Sequence, residues 1–221
     1  MGYNGNKREV SLCVKTTMKK QVLFIHGGET FDTYEDYLKF LREIEVDLEW
    51  LTWKRWKHTL QDKLGDDFQV ILAQMPCALN AKYIEWAIMF EKYLEKMNGD
   101  LILVGHSLGG VFLTKYLSEN KVDKSIKGLF LVAACFDDSD ADYSLADFNI
   151  DPDKIPLLEK TAEHIHFYHS TDDDVVRFTD FEKYKKLLPN ATFTTFNDRG
   201  HFGVDTFPEI IDDIKNLDKK S

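Results

Sequence analysis

Residues 101–110, Leu-Ile-Leu-Val-Gly-His-Ser-Leu-Gly-Gly, decide how this chain is read. Leu101 to Val104 is a short apolar run of the kind that forms a buried strand, and Val111, Phe112, Lys115 and Tyr116 continue beyond the glycines at helical spacing. Ser107 therefore stands on a tight turn from strand to helix, with its hydroxyl presented at the strand's carboxyl end. Gly105 and Gly109 have a steric reason to be there, because so sharp a turn brings the two backbones too close for a side chain at either flank. Gly-x-Ser-x-Gly occurs by chance in many sequences. The strand before it and the helix after it give it weight as a nucleophile elbow.

A nucleophilic serine needs a base, a carboxylate to orient that base, and donors for a developing oxyanion. Three other segments end in suitable residues. Val22 to Ile25 is an apolar run entering His26-Gly27-Gly28. Ile165 to Tyr168 leads into His169-Ser170-Thr171-Asp172-Asp173-Asp174-Val175-Val176. Thr192 to Phe196 leads into Asn197-Asp198-Arg199-Gly200-His201-Phe202, where a glycine turn presents a histidine just past a strand. His201 is the candidate base and one of the three aspartates the orienter. The order serine, aspartate, histidine is that of the α/β-hydrolase triad.

On these residues the chain resembles the α/β-hydrolases, and among them the compact serine hydrolases related to retinoblastoma-binding protein 9. The shared features are the Gly-His-Ser-x-Gly elbow, the Ser-Thr-Asp-Asp segment and the Asp-x-Gly-His-Phe ending. Met75-Pro76, Trp86 in the following helix, and Trp53-x-x-Trp56 opening the preceding helix add to them. The likeness runs from about Lys20 to Leu217. It implies a three-layer α/β fold with a mainly parallel six-stranded sheet in the order 2-1-3-4-5-6, helices on both faces and a minimal cap. It also implies Ser107, Asp173 and His201 as the triad, and the backbone N–H groups of Gly28 and Leu108 as oxyanion donors. Asp173 fits because the family aspartate lies three residues before an apolar position, here Val176. Arg177 stands where the family usually has proline, so Asp172 and Asp174 remain alternatives. His106 is expected to pack into the core, His26 to order the oxyanion loop by hydrogen bonding, and Asp198 to form a turn.

Composition bounds the rest. A chain of 221 residues suits one domain. Its net charge of −10 disfavours nucleic acid and anionic lipid as partners. Cys13, Cys77 and Cys135 show neither a metal spacing nor an even disulfide framework, so reduced thiols are expected. No dinucleotide fingerprint or phosphate loop accompanies a strand, and His164 and His166 face away from His169, so neither cofactor nor metal is expected. The Asp138-x-Asp140-x-Asp142 run lacks the glycine and glutamate of a calcium loop and reads as a solvated acidic segment. The start is polar and no run approaches the ~20 apolar residues of a membrane span. These features favour a cytoplasmic protein.

The strands are expected near 21–26, 68–74, 101–105, 127–133, 164–169 and 192–197. Residues 1–18 read as an extension and 19–221 as the hydrolase domain, with an added helix inserted at about 29–50. In that insertion Asp32-x-x-Glu35 resembles a capping box, and Tyr37, Leu38, Leu41 and Ile44 form an apolar stripe that would bury itself on the body or on substrate. Trp50, Trp53 and Trp56 fall on one helical side, and Thr206 precedes Pro208 as the cap of a final helix. The expected function is a serine hydrolase acting on an ester, thioester or activated amide of a small molecule through an acyl-enzyme. The alternative is a protein-binding module that keeps the fold with little or no turnover.

Overall fold

Val22-Leu-Phe-Ile25 is apolar at every position, as a strand covered on both faces requires. The computed structural model describes residues 18–139 and 141–219. There the run lies in β1 (Lys20–Ile25), followed by α1 (Tyr34–Glu43), α2 (Leu48–Thr52), α3 (Trp56–Leu64), β2 (Phe68–Leu72), α4 (Tyr83–Lys96) and β3 (Leu101–His106). Next come α5 (Leu108–Glu119), β4 (Ile126–Val132), β5 (Ala162–Ser170), α6 (Phe178–Leu187), β6 (Thr192–Phe196) and α7 (Pro208–Lys215). The strands form one sheet in the order β2-β1-β3-β4-β5-β6, and every pairing is parallel.

Alternation along each strand divides the core in two. Leu23, Ile25, Leu101, Leu103, Leu129 and Leu131 face α4, α5 and α6, where Trp86, Phe90, Phe112, Phe181 and Tyr184 cover them. Val22, Phe24, Ile102, Val104, Phe130 and Val132 face α3 and α7 and meet Trp56, Leu60, Ile210 and Ile214. Because the strands are parallel and in register, with Ile25 opposite Gly105 and His106 opposite Val132, their carboxyl ends deliver successive loops to one edge.

Several expectations shift. The first inserted helix is capped one residue later than Asp32: the Thr33 hydroxyl accepts from the Asp36 N–H at 3.1 Å and donates to the Asp36 carboxylate at 2.6 Å. Its apolar stripe is not buried, and α1 contains no buried residue. Phe31 instead gathers Tyr37 and Phe40 into a small half-exposed aromatic group, with ring centroids 5.6 and 5.2 Å away. Trp53 and Trp56 do not share a helix. Residues 53–55 separate α2 from α3, and the Trp56 N–H donates to Val204 O at 2.9 Å, tying the start of α3 to the segment before α7. Trp56 joins the core, whereas Trp53 does not. The final helix is capped by Phe207 rather than Thr206, with Pro208 in its first turn. The expectation for the N-terminal extension falls on residues 1–17, which lie outside the described residues. Among the described residues no helix is long and apolar enough to cross a membrane.

Candidate active site

The elbow is built by close approach. A Cβ on Gly109 would stand 2.3 Å from Ile25 O, and one on Gly105 would stand 2.6 Å from Gly109 O, so neither position admits a side chain without moving backbone. Ser107 adopts φ 54° and ψ −126° between them. Its N–H donates to Val132 O at 2.9 Å, and its carbonyl receives the N–H of Gly110 and of Val111 at the start of α5.

The loop after β1 is braced on both sides of Gly28. Neutral His26 donates from Nδ1 to Gly27 O at 2.6 Å and accepts the Met75 N–H on Nε2 at 3.0 Å. Burial lowers its pKa and favours this uncharged form. The next residue is clamped by two backbone bonds of 2.8 Å, Glu29 N–H to Ala78 O and Ala81 N–H to Glu29 O. A Cβ on Gly28 would lie 2.6 Å from Ala78 O. Within the described residues no hydrogen bond consumes the N–H of Gly28 or Leu108.

His201 lies between two left-handed residues, Gly200 (φ 49°) and Phe202 (φ 55°). The buried Phe202 ring anchors the turn in the core beneath. His201 Nδ1 lies 2.9 Å from Asp173 Oδ2 and 3.1 Å from Oδ1. The Asp173 carboxylate is wholly buried and also accepts the N–H groups of Val175 and Val176 at 2.9 Å. Burial alone would raise its pKa, but the bonds from His201 and from these two amides outweigh that and hold it below the usual carboxylate range. With Nδ1–H donating to Asp173, Nε2 of His201 is left as the acceptor.

The three aspartates thus occupy different places. Asp172 accepts the Ser170 hydroxyl and, at 3.0 Å, the Gly200 N–H, pinning the turn that carries His201. The Ser170 hydroxyl in turn accepts the Arg199 N–H at 3.2 Å. Asp174 is exposed. Asp198 pairs with Arg199 at the surface. His106 packs edge-on to Trp56 and donates from Nε2 to His201 O at 2.9 Å. Burial, reinforced by the nearby His201, draws its pKa down to about 3.

Ser107 and His201 open into one cleft of about 360 Å³, and no hydrogen bond joins them across it. Such contacts are often loose before substrate binds. Gly28 and Leu108 also line the cleft, as do Glu29, Arg55, Lys57, Cys135, Tyr143, Leu145 and Val176. The sequence reading gave no role to the polar members of this group, because they come from loop and helix-start positions without periodicity. The Cys135 thiol is pushed up to about 12 by burial, which keeps it protonated and unreactive. Among the described residues no cluster of histidine, cysteine and carboxylate groups has the geometry to hold a metal ion.

Comparison with known proteins adds a family. Residues 52–212 match the family described as serine hydrolase. The chain is 26% identical over 151 residues to the rat (Rattus norvegicus) serine hydrolase RBBP9, covering 68% of this chain and 78% of that protein. It is 24% identical over 199 residues to the putative hydrolase YdeN of Bacillus subtilis, covering 88% and 94%. The crystal structure of the B. subtilis ydeN gene product superposes with a TM-score of 0.68 at 21% identity, over 91% of this chain and all of that one. Est1E of Butyrivibrio proteoclasticus, solved with ferulic acid bound, superposes with a TM-score of 0.57 at 14% identity, over 91% of this chain and 88% of that one.

Proposed function

From the premise that this chain belongs to the serine hydrolase family, we infer that it cleaves an ester, thioester or activated amide of a small molecule through an acyl-enzyme on Ser107. The observation that carries this reading is the buried, amide-supported Asp173 carboxylate bonded to His201 Nδ1 at 2.9 Å, in the cleft that Ser107 enters. A protein-binding module has no use for a fixed imidazole tautomer.

In the proposed reaction, His201 Nε2 takes the Ser107 hydroxyl proton as Oγ attacks the substrate carbonyl. Asp173 holds the imidazole in place and balances the positive charge it acquires. The carbonyl oxygen becomes an oxyanion between the N–H groups of Gly28 and Leu108, which line the cleft and which no other hydrogen bond among the described residues occupies. One such donor is worth roughly 10²–10³ in rate. Collapse of the tetrahedral species breaks the bond to the leaving group, and the proton on His201 passes to it. Water then attacks the acyl-serine with His201 again as base, releasing the acid and restoring the serine. Asp172 holds the turn before His201, which makes it a positioning residue.

Fluorophosphonate labelling and hydrolysis of an activated p-nitrophenyl ester test this reading. Wild type should label and turn over, and Ser107→Ala should lose the label and about 10⁴ or more in rate while remaining folded. An alanine variant that labels and turns over like wild type overturns the assignment.

A further inference from the structure

The cleft wall is electrically divided. Toward β4 and β5 it is lined by Cys135, Tyr143, Leu145 and Val176, and toward β1 by Arg55 and Lys57. Ser107 follows β3, which lies between β1 and β4, so it sits between the two parts. Arg55 caps α3 and Lys57 lies in its first turn. They are held there by the residue between them: Trp56 donates from its backbone to Val204 O at 2.9 Å and from Nε1 to Phe202 O at 3.0 Å. The stem of Lys57 is half-buried, and its ammonium lies 5.9 Å from the centre of the Phe24 ring.

Two cations side by side in a cleft are an uncomfortable arrangement. Burial and repulsion from Arg55 both lower the Lys57 pKa, and the Lys57 charge in turn depresses His26 and His106. This chain has carboxylates to spare, with 38 Asp and Glu against 28 Lys and Arg. Yet among the described residues no carboxylate lies within ion-pairing distance of the Lys57 ammonium. Glu29, the acidic side chain in the lining, is influenced by His201, and burial raises its pKa toward the neutral form. Burial lowers the pKa of His26 and His106, and neither brings a negative charge.

We propose that Arg55 and Lys57 receive an anionic oxygen group, a carboxylate in the simplest case, on the substrate attacked by Ser107, while its apolar part occupies the Tyr143–Leu145–Val176 side. This rests on the reading of Ser107 as nucleophile and adds the substrate class. The bound anion would sit between two like charges and supply the counterion that Lys57 lacks among the described residues. Charge-assisted hydrogen bonds from a guanidinium and an ammonium are among the stronger polar contacts available in such a site.

Two matched pairs of activated esters test it. In one pair the carboxylate is on the acyl group: mono-p-nitrophenyl adipate against its methyl ester. In the other it is on the leaving group: 3-carboxy-4-nitrophenyl butyrate against its carboxamide. The readout is the kcat/KM ratio of the charged to the neutral member. Wild type at low ionic strength should favour the charged member about tenfold in one of the pairs. Lys57→Met and Arg55→Met should each lower that ratio severalfold, Lys57→Arg should retain it, and added salt should erode it. Ratios near or below one in both pairs, or ratios unchanged in both methionine variants, overturn the proposal. If a methionine variant does not fold, the wild-type ratio and its salt dependence still decide. Wild type that labels with fluorophosphonate but shows no charge preference rejects only this proposal. Wild type that neither labels nor turns over any of the four esters rejects the hydrolase reading as well.

Discussion

Helices α5 and α1 begin only a few residues from the proposed reacting atoms, yet they relate to the fold in opposite ways. In α5, ten of twelve residues are buried, whereas α1 buries none. The sequence of α5 announces its burial, whereas that of α1 suggests more cover than it finds. Leu108-Gly-Gly-Val-Phe-Leu-Thr-Lys-Tyr-Leu-Ser-Glu119 is apolar almost all round, while Tyr34-Glu-Asp-Tyr-Leu-Lys-Phe-Leu-Arg-Glu43 carries a clean stripe suited to packing on something. An amphipathic stripe says that a helix has a face, not what covers it. The sheet accepts α5 because Gly105 and Gly109 let the backbones meet.

The sharpest way to break this contrast lies in the residues that the head of α5 needs from other strands. Asp173→Asn would leave His201 with a neutral partner and the wrong tautomer, so kcat should fall by about 10⁴ with the melting temperature little changed. Asp172→Asn, which loosens the turn without touching the imidazole, should cost far less. A dominant loss at Asp172 or Asp174 would reject Asp173 as the orienting group.

Gly109→Ala probes the packing itself. Its methyl would meet the Ile25 carbonyl, and the overpacking should remove about 2–3 kcal/mol, seen as a melting point lower by roughly 5–10 °C. A variant that melts like wild type would show that α5 is less tightly seated than described.

A smaller effect comes from His106 beneath the elbow. Its folded-state pKa, about 3, lies below the ~6.5 of an unfolded histidine, so the unfolded chain binds a proton first as pH falls. The stability it contributes is complete above pH ~6.5 and declines on acidification toward its folded pKa. Denaturant titrations at pH 6.5 and 5 should lose up to about 1–2 kcal/mol on this account, and His106→Gln should flatten that part of the dependence. Equal slopes in the two proteins would overturn the assignment.

The least effect is expected on α1. Leu41→Ala should change stability by no more than about 0.5 kcal/mol. With Leu38→Ala added, kcat/KM for short and long acyl p-nitrophenyl esters separates two roles: a change that depends on chain length makes α1 a lid over the cleft, and a uniform one makes it scaffold.

What was legible in the sequence follows from the same contrast. The six strands could be read because each is a short apolar run bounded by turn residues, and Ser107 and His201 stand out just past strand ends; the strand order and the choice of Asp173 among three aspartates came from the family resemblance, not from local pattern. The first helix is capped at Thr33 rather than Asp32 because neighbouring polar groups compete for the same amide, whereas Phe207 takes the cap position of α7 without a side-chain hydrogen bond and Pro208 begins the helix. Residues 53–55 broke a plausible helix because Trp56 is tied to Val204, a contact 148 positions away in the chain that local spacing does not encode. Asp180 gave no local signal either. It is fully buried, where it pairs with its near neighbours Arg177 and Lys183 and accepts the N–H of the distant Phe136, and that remote contact is what the sequence does not show.

The backbone of Ser107 carries an evolutionary consequence. At φ 54° a residue with a side chain is held in a region that glycine enters freely, at a cost of roughly 1–2 kcal/mol. Selection for thermostability alone would therefore favour Ser107→Gly, one base away from the AGT and AGC serine codons, and that variant should melt above Ser107→Ala. Retaining a hydroxyl here runs against the fold's own preference. If Ser107 is the nucleophile proposed above, glycine at the elbow would mark lineages descended from this chain in which that chemistry had ceased to matter.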